Sequence, residues 1–325
     1  MVSVVQSTLT IILSAEFIIG NLGNGFIALV NCIDWVKRRE ISSADQILTA
    51  LAISRIGLLW LVSINWYISV FFTVLLVPGK LLRVNSIGWT VTNHFSNWLA
   101  TSLSIFYFLK IASFSNSIFL YLKWRVKKVI SMILLVTLVL LIFNIALMNM
   151  HINVWINEHK VNMTGTSRMS NFVQLSTRTL FINTLFTIIP FAVSLIIFLL
   201  LIFSLWKHLK KIQHNAKDSR DASTEAHIKA MKSMIAFLLL FAIYFLSLFV
   251  SIWSFKFPER KQIIMFCQVI GIIYPAGHPY VPILGYNKLR QAFFSVLCWL
   301  RSKMENLQAR RPFRDSSCIS WRKIS

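Results

Sequence analysis

The chain has 325 residues, of which 56% are hydrophobic and only 14% are charged. Soluble globular domains contain about 25% charged residues, so the composition excludes an ordinary soluble protein and indicates a membrane protein. The formal net charge of +22 would favour a nucleic-acid partner in a soluble chain. Here the basic residues lie just outside apolar segments, which is typical of membrane topology signals. The expected surroundings are therefore a lipid bilayer, and no nucleic-acid partner is expected.

The first apolar segment, residues 5–33, is predicted to be a spanning helix that stays in the mature protein. A secretory signal peptide has a basic region ahead of a shorter apolar stretch, whereas no Lys or Arg precedes Lys37 here. Positive charges follow the segment at Lys37, Arg38 and Arg39. Because cytoplasmic loops carry an excess of Lys and Arg, this pattern predicts an extracellular N-terminus.

Seven segments in all are candidates for membrane spans, each with the roughly 20 mostly apolar residues that a spanning helix needs. They cover residues 5–33, 46–72, 86–112, 129–150, 180–206, 231–255 and 262–285. With the N-terminus outside, the inner segments hold 24 Lys and Arg residues and the outer segments hold 8. The predicted fold class is an all-α membrane protein, a seven-transmembrane helix bundle with an extracellular N-terminus.

A glycosylation site is predicted in the polar segment 151–179. It contains the only Asn-x-Ser/Thr sequon of the chain, which begins at Asn162. The predicted topology places this segment outside the cell, where the glycosylation machinery can reach it.

Lys110 is the charged residue in an otherwise uncharged, largely apolar stretch of the third predicted span. It follows Trp89 by 21 residues, which corresponds to roughly 31 Å of helix, about the thickness of the hydrocarbon core. Lys110 is therefore expected at the inner interface. A snorkelling anchor is one explanation of such a lysine.

Polar residues inside the spans suggest a ligand cavity in the outer half of the bundle. On the third span, Asn93 and Asn97 share one small or polar face that should point into the bundle. An aromatic plate beside an amide, as in Trp89 with Asn93, is what an orienting ligand site needs. Four further residues could converge on the same cavity, namely Asn65, Trp66, Tyr244 and Gln268. For each of these residues, a role in helix packing is the alternative to ligand contact.

Arg55 is a cation inside the second predicted span, and an intramembrane ionisable residue is a functional candidate whose partner should be named. The only acidic residue at membrane depth, Glu16, is expected nearer the outer side. Backbone carbonyls around Pro279, or the side chain of Asn24, are therefore the expected partners. The fragment "YPAGHPYVP", residues 274–282, is expected to break the seventh helix.

The C-terminal part divides into two predicted pieces. Apolar residues recur with helical spacing over 288–301, which predicts an amphipathic eighth helix on the inner leaflet. Residues 302–325 are polar and basic and are predicted to be a disordered cytoplasmic tail. The receptor domain is thus expected over residues 1–300. The loop from Lys207 to Lys232 is interpreted as cytoplasmic extensions of the fifth and sixth helices around a short polar turn.

Motifs argue against an enzyme, because the chain has no G-x-S-x-G, H-E-x-x-H, paired aspartates or phosphate-binding loop, and no cofactor or metal site is expected. A multi-pass transporter or channel is the alternative function. Ion-coupled transporters usually carry several intramembrane carboxylates and internal repeats. This chain has only Glu16 at membrane depth and shows no internal repeat. Seven spans with an external N-terminus and an eighth amphipathic helix favour a G-protein-coupled receptor.

Seven stretches of the sequence form a specific combination. They are "GNLGNGFIALVN" (20–31), "ISSADQILTALAISR" (41–55), "NHFSNWLATSLSIFYFLKIASFSN" (93–116), "LIFSLWKHLKKIQ" (201–213), "HIKAM" (227–231), "AIYFLS" (242–247) and "YPAGHPYVPIL" (274–284). Through these stretches, and across about residues 10–300, the chain resembles the taste receptor type 2 (bitter taste receptor) family.

The resemblance implies a plasma-membrane receptor for bitter small molecules that activates a gustducin-type heterotrimeric G protein. It implies a ligand cavity in the outer half, lined by Asn65, Trp66, Trp89, Asn93, Tyr244 and Gln268. It also implies a set of coupling and activation residues, namely Arg55, Tyr107, Lys110, Ser204, Leu205, His208, Lys211 and His227. Tyr107 stands in "FYFLK" at the inner end of the third helix, where rhodopsin-like receptors carry the arginine of an Asp-Arg-Tyr triplet.

Overall fold

A computed structural model describes residues 4–38, 42–71, 79–112, 114–160, 165–215, 222–254 and 260–309. Over this part of the chain every regular element is a helix. The elements are α1 (Val4–Arg38), α2 (Ser43–Phe71), α3 (Gly79–Ile111), α4 (Ser117–Trp124), α5 (Val126–Lys160), α6 (Gly165–Asn215), α7 (Ala222–Trp253), α8 (Arg260–Gly277), α9 (Tyr280–Gly285) and α10 (Asn287–Ala309).

Six segments among the described residues are long and apolar enough to cross a membrane. They are Val4–Lys37, Ser43–Val70, Val126–Asn157, Thr177–Ser204, Met231–Trp253 and Lys261–Gly285. The third predicted span corresponds to α3, which is long enough at 33 residues but less apolar than the other six. The structure therefore supports a membrane helical bundle with six apolar spanning candidates.

The position of α3 explains why it tolerates polar residues. It packs against α2, α5 and α6, and almost every residue from Asn93 to Ile105 is buried. A helix surrounded by other helices does not meet lipid, and its amides and hydroxyls find partners on its neighbours. α5, in contrast, lies at the periphery and exposes large apolar side chains such as Ile142 and Phe143.

Two glycines allow α1 to approach the helices beside it. A Cβ atom on Gly20 would lie 2.7 Å from Leu59 Cδ1 and 2.9 Å from the Cα of Ala276. A Cβ on Gly23 would lie 2.9 Å from Pro279 Cγ. Small residues at such positions are the usual way in which membrane helices pack closely, and here they bring α1 against α2, α8 and the break that follows α8.

The seventh predicted span is two helices, α8 and α9, because the prolines interrupt it. Pro279 has no N–H, so the carbonyl of Pro275 cannot receive its normal bond from the residue four positions later. The side chain of Asn24 on α1 donates to that carbonyl instead, at 3.0 Å, and also to the carbonyl of Gly20 at 2.8 Å. A neighbouring helix thus satisfies the backbone group that the proline leaves free.

The remaining elements extend or add to the predicted ones. α10 is longer than the predicted amphipathic helix, since it continues from residue 301 to Ala309, and the later residues of the predicted tail lie outside the described residues. The helical extensions predicted after the fifth and before the sixth span are present, as α6 reaches Asn215 and α7 begins at Ala222. The short helix α4 is not among the predicted elements.

Candidate functional site

The polar face of α3 meets α7 through a buried hydrogen-bond network. Asn97 Nδ2 donates to Asn93 Oδ1 at 3.1 Å, and the hydroxyl of Tyr244 donates to the same oxygen. The ring of Tyr244 stacks on Tyr274 of α8, with 5.4 Å between centroids. The structure therefore brings together two of the predicted ligand-binding residues, Asn93 and Tyr244.

A small pocket of about 10 Å³ borders this network between α3, α5 and α6. Three buried polar atoms of its lining have no hydrogen-bond partner in the described structure. They are Asn97 Oδ1, His94 Nε2 and Asn144 Oδ1. A buried polar atom without a partner typically costs about 1–3 kcal/mol, so this pocket has unused capacity to bind hydrogen-bonding groups. Its volume is far below the roughly 300–1,000 Å³ of usual small-molecule sites.

The other predicted ligand-binding residues have different surroundings. Trp66 is fully buried, and its Nε1 donates to Thr10 Oγ1 of α1 at 3.1 Å. Asn65 is hydrogen-bonded to Asn85 of α3. Trp89 is half-buried and packs on the main apolar core, and Gln268 is half-buried on α8. The structure thus places Trp66 in the contact between α1 and α2 and not beside Tyr244.

Arg55 lies in the interior with 1% of its surface exposed. Its Nε is 3.4 Å from Ser96 Oγ on α3, and its guanidinium carbon is 4.7 Å from the ring centroid of Tyr274. These contacts, Ser96 and the ring of Tyr274, differ from the expected partners, which were the carbonyls around Pro279 and the side chain of Asn24. A cation over an aromatic face is attracted by the ring quadrupole, so Arg55 links α2, α3 and α8.

A large cavity of about 740 Å³ opens at the other end of the bundle, beside Lys110. We call this the Lys110 cavity. It lies between α2, α3, α7, α9 and α10, and it is lined by Ser42, Ala44, Ala100, Leu103, Ser104, Phe106, Tyr107, Lys110, Ile111, Ser233, Met234, Phe237, His278, Val281, Pro282, Gly285, Tyr286, Asn287 and Lys288. Most of these side chains are apolar, and the two lysines are the cations among them.

Two predicted coupling residues line the Lys110 cavity. Tyr107 is half-buried, and the exposed Lys110 holds its ammonium 5.9 Å from the ring of Phe106. Ser204 is buried on α6. Leu205, His208 and Lys211 belong to α6 and His227 to α7, and their side chains lie outside the described part of the structure, as does Asn162 altogether.

Lys288, on the wall of this cavity, is a residue whose role sequence reasoning missed. Its ammonium is 2.9 Å from Asp34 Oδ2, 3.3 Å from Asp45 Oδ2 and 3.1 Å from Asn31 Oδ1. It therefore ties α10 to α1 and α2. Partial burial lowers the pKa of Lys288, but the bond to Asp34 and the charge of Asp45 outweigh it, so the pKa is raised overall. The sequence signal was weak, since Asp34 and Asp45 lie far from Lys288 along the chain.

Comparison with known proteins decides the family. A family model described as taste receptor protein (TAS2R) matches residues 1–301. The chain belongs to the taste receptor family. Taste receptor type 2 member 14 of Homo sapiens is 57% identical over 97% of this chain and 99% of its own length, and the protein of the same name from Macaca mulatta is 56% identical over the same shares.

A rodent relative is nearly as similar. Taste receptor type 2 member 140 of Rattus norvegicus is 52% identical over 95% of this chain and 99% of its own length. The chain is accordingly a bitter taste receptor and a multi-pass protein of the plasma membrane. Its family is one of receptors and not of enzymes. The sequence-based resemblance is confirmed.

Proposed function

We propose that this taste receptor crosses the membrane seven times, with α3 as the additional span and the Lys110 cavity facing the cytoplasm. α3 has 33 residues, which corresponds to about 50 Å of helix, more than the bilayer core requires. Its burial among the other spans accounts for its polarity. The excess of Lys and Arg on one side supports the orientation. So does the exposed apolar face of α10, which includes Val296, Leu297 and Leu300 and fits a helix lying on the inner leaflet.

The bitter ligand binds in the outer half, around the network of Asn93, Asn97 and Tyr244. The unpartnered oxygens of Asn97 and Asn144 accept hydrogen bonds, which suits ligands with hydroxyl groups. Among the residues described in that half of the spans, Glu16 is the only carboxylate. A protonated amine that binds there would lose its hydration and would have few carboxylate partners to compensate for it. Neutral hydrogen-bonding compounds are therefore the expected class. We keep Trp89, Asn65 and Gln268 as candidate ligand contacts near this region, and we assign Trp66 a supporting role through its contact with α1.

Agonist binding has to enlarge the small outer pocket, because about 10 Å³ cannot hold a ligand. The network joins α3 to α7 and continues through the stacked rings of Tyr244 and Tyr274 to Arg55. Movement of α7 away from α3 would therefore be transmitted to α2 and α8. This chain of contacts gives Arg55 its role as an activation residue.

The Lys110 cavity receives the gustducin-type G protein, and its position is the observation that carries this proposal. It is wide, mostly apolar and bordered by Tyr107 and Lys110, which are the properties of a groove that accepts an amphipathic helix. The ends of α6 and α7 that carry Ser204, Leu205, His208, Lys211 and His227 flank the same end of the bundle. We include them in the coupling surface.

The same cavity also supports a second candidate function. Its volume of about 740 Å³ lies within the usual range of small-molecule sites. A bitter compound that crosses the membrane could therefore bind there directly, between α3, α7 and α10. This second site would use Ser104, Phe237 and His278 in place of the outer network.

The experiment is a calcium-flux screen in cells that express the receptor with a promiscuous gustducin chimera. Compound-dependent signals that need the chimera are expected. Asn144→Ala should reduce the potency of hydroxylated agonists, and Ser233→Ala, on the wall of the Lys110 cavity, is the matched control. The opposite ranking of the two variants would assign the agonist to the cavity. Uptake of compounds without any dependence on the chimera would overturn the receptor function in favour of a transporter.

Glycosylation of Asn162 follows from the same topology. Treatment of the receptor with an endoglycosidase should increase its gel mobility, and Asn162→Gln should abolish that shift. Labelling of the 151–179 segment from the cytoplasmic side would contradict the orientation.

A further inference from the structure

The short helix α4 has a fixed orientation at the end of the bundle that carries Lys110. Its N-terminus is capped by Asn116, whose side chain accepts a bond from the Ile118 N–H at 2.9 Å. Lys123 Nζ donates to the carbonyl of Ala112 at the end of α3, at 3.0 Å. The ring of Phe119 packs on Phe108 of α3, with 5.6 Å between centroids. These contacts decide which face of α4 is left open.

The open face of α4 carries large apolar and aromatic side chains. Ile118 is 68% exposed, Tyr121 is 56% exposed and Trp124 is 88% exposed. Tryptophan and tyrosine prefer the boundary between lipid headgroups and acyl chains, where one side of the ring is apolar and the other is wet. A helix with this face has the composition of an interfacial element.

Cations surround these aromatic residues, and no carboxylate in the described part of the chain forms a salt bridge with them. The guanidinium of Arg125 lies 4.9 Å from the ring of Tyr121, and Lys127 and Lys128 are exposed on the first turn of α5. The sequence contains no Asp or Glu from residue 46 to residue 157. None of the salt bridges found among the described residues involves this region. The positive charge is therefore available to an anionic partner.

The position of Lys128 on α5 favours lipid as that partner. Residues 132, 135, 139 and 142 follow Lys128 on one face of α5 at helical spacing, and their side chains, Met132, Leu135, Val139 and Ile142, are all strongly exposed. This apolar stripe is the lipid-facing side of the span. Lys128 lies at the end of that stripe, where phospholipid headgroups begin, and not on the wall of the Lys110 cavity.

We propose that Tyr121, Trp124, Arg125, Lys127 and Lys128 form a binding surface for the headgroups of anionic phospholipids. Basic residues just outside a spanning helix attract acidic lipids, while the exposed rings insert at the acyl boundary. The assignment to the inner leaflet rests on the topology proposed above. The binding itself does not depend on an agonist or a G protein, so it can be tested separately from the receptor function.

The experiment uses the purified full chain in detergent and titrates it with dioctanoyl phosphatidylcholine, phosphatidylserine or phosphatidylinositol 4,5-bisphosphate, with bound lipid measured by native mass spectrometry. Each surface lysine strengthens such binding by about fivefold, so Lys127→Gln with Lys128→Gln should weaken binding of the two anionic lipids by roughly 25-fold. Phosphatidylcholine binding should not change. Lys80→Gln with Lys261→Gln removes the same charge at the other end of the bundle and should change the affinities less than twofold.

A second measurement tests the aromatic residues without altering charge. In nanodiscs that contain lipids brominated near the headgroup, Trp124→Phe should remove a quenched component of the tryptophan fluorescence, whereas replacement of the buried Trp66 by Phe should not. Equal effects of the two lysine pairs on anionic lipid binding would overturn the proposal. So would normal lipid binding by the Lys127 and Lys128 variant together with lost signalling, which would assign the surface to a protein partner.

Discussion

At the scale of single residues, Asn24 shows how α1 stabilises the proline break between α8 and α9. Its amide is the donor that replaces the missing N–H of Pro279 on the carbonyl of Pro275. Asn24→Ala leaves that carbonyl buried without a partner, which costs about 1–3 kcal/mol. We expect a clear decrease in the melting temperature, measured with a thiol-reactive dye that reports exposure of the buried Cys267.

Asn21 is the matched control for this prediction. It lies on the same helix, and its amide donates only to the carbonyl of Phe17 within α1, at 2.8 Å. Asn21→Ala removes no bond between helices and should change the melting temperature little. Equal melting temperatures for Asn24→Ala and Asn21→Ala would show that the Pro275 carbonyl does not need Asn24.

Lys288 gives a prediction about pH. Its pKa is raised in the folded receptor because Asp34 and Asp45 outweigh partial burial. A raised pKa contributes stability below the unfolded value, about 10.4 for lysine, and the contribution disappears as pH rises through the folded value. From pH 6 to 9 Lys288 is protonated in both the folded and the unfolded state. Its contribution to the difference in melting temperature between the wild type and Lys288→Met should therefore be constant over this range.

The same difference should become smaller above about pH 10.4, where an unperturbed lysine loses its proton. Melting curves recorded in a series of buffers measure it directly, with Lys303→Met as the control on the exposed part of α10. A difference that already decreases between pH 7 and 9 would mean that Lys288 is not held by the two carboxylates.

At the scale of elements, the approach of α1 to α2 and α8 depends on Gly20. A methyl group there would come within 3 Å of both Leu59 and Ala276, and the Ala276 contact is backbone, which cannot rotate away. Overpacking of this kind typically costs about 1–3 kcal/mol. Gly20→Ala should therefore lower the melting temperature and the surface expression of the receptor.

Gly25 offers the comparison on the same helix, because a Cβ added there has no atom within 4 Å. Alanine is preferred over glycine in a helix interior by about 1 kcal/mol, so Gly25→Ala should be neutral or stabilising. Both variants can be measured in one thermal assay. A stabilising effect of Gly20→Ala would contradict the close packing of α1.

The helices also show which parts of the fold could be predicted from the sequence. Hydrophobic runs predicted the six apolar spanning candidates among the described residues, since burial in lipid or protein is a property of each segment. The prolines predicted the break after α8. α4 was missed because eight residues between two spans give too short a pattern. Partner choice was missed as well: the bonds from Trp66 to Thr10 and from Asn24 to Pro275 depend on which helix faces meet, and spacing along one helix does not determine that.

At the scale of the whole molecule, the two ends of the bundle differ in how open they are. The pocket that borders Asn93 and Asn97 has a volume of about 10 Å³, whereas the Lys110 cavity has about 740 Å³. Between them lie the stacked rings of Tyr244 and Tyr274 and the buried Arg55. The sequence predicted Asn93, Tyr244, Tyr107 and Lys110 as site residues, but relative volumes depend on side-chain packing in three dimensions.

This separation leads to a prediction for Lys110. Lys110 and Trp89 are about 31 Å apart along α3 by helical rise, so a ligand in the outer half does not reach the ammonium. Lys110→Ala should leave agonist affinity unchanged and lower the maximal response roughly two- to fivefold, because a charge at the rim of the proposed G-protein groove is lost. Displacement of a fluorescent agonist gives the affinity, and calcium flux through the gustducin chimera gives the response.

Lys80→Ala is the control, since Lys80 is an exposed lysine at the beginning of α3 and should change neither quantity. Surface expression has to be equal for all three proteins. If Lys110→Ala weakens agonist binding itself, the agonist occupies the Lys110 cavity. The network around Asn93 then transmits the conformational change or stabilises the helix bundle, but it does not bind the agonist. If binding and response are both unchanged, the G protein does not contact this end of α3, and the coupling surface has to be sought on α6 and α7.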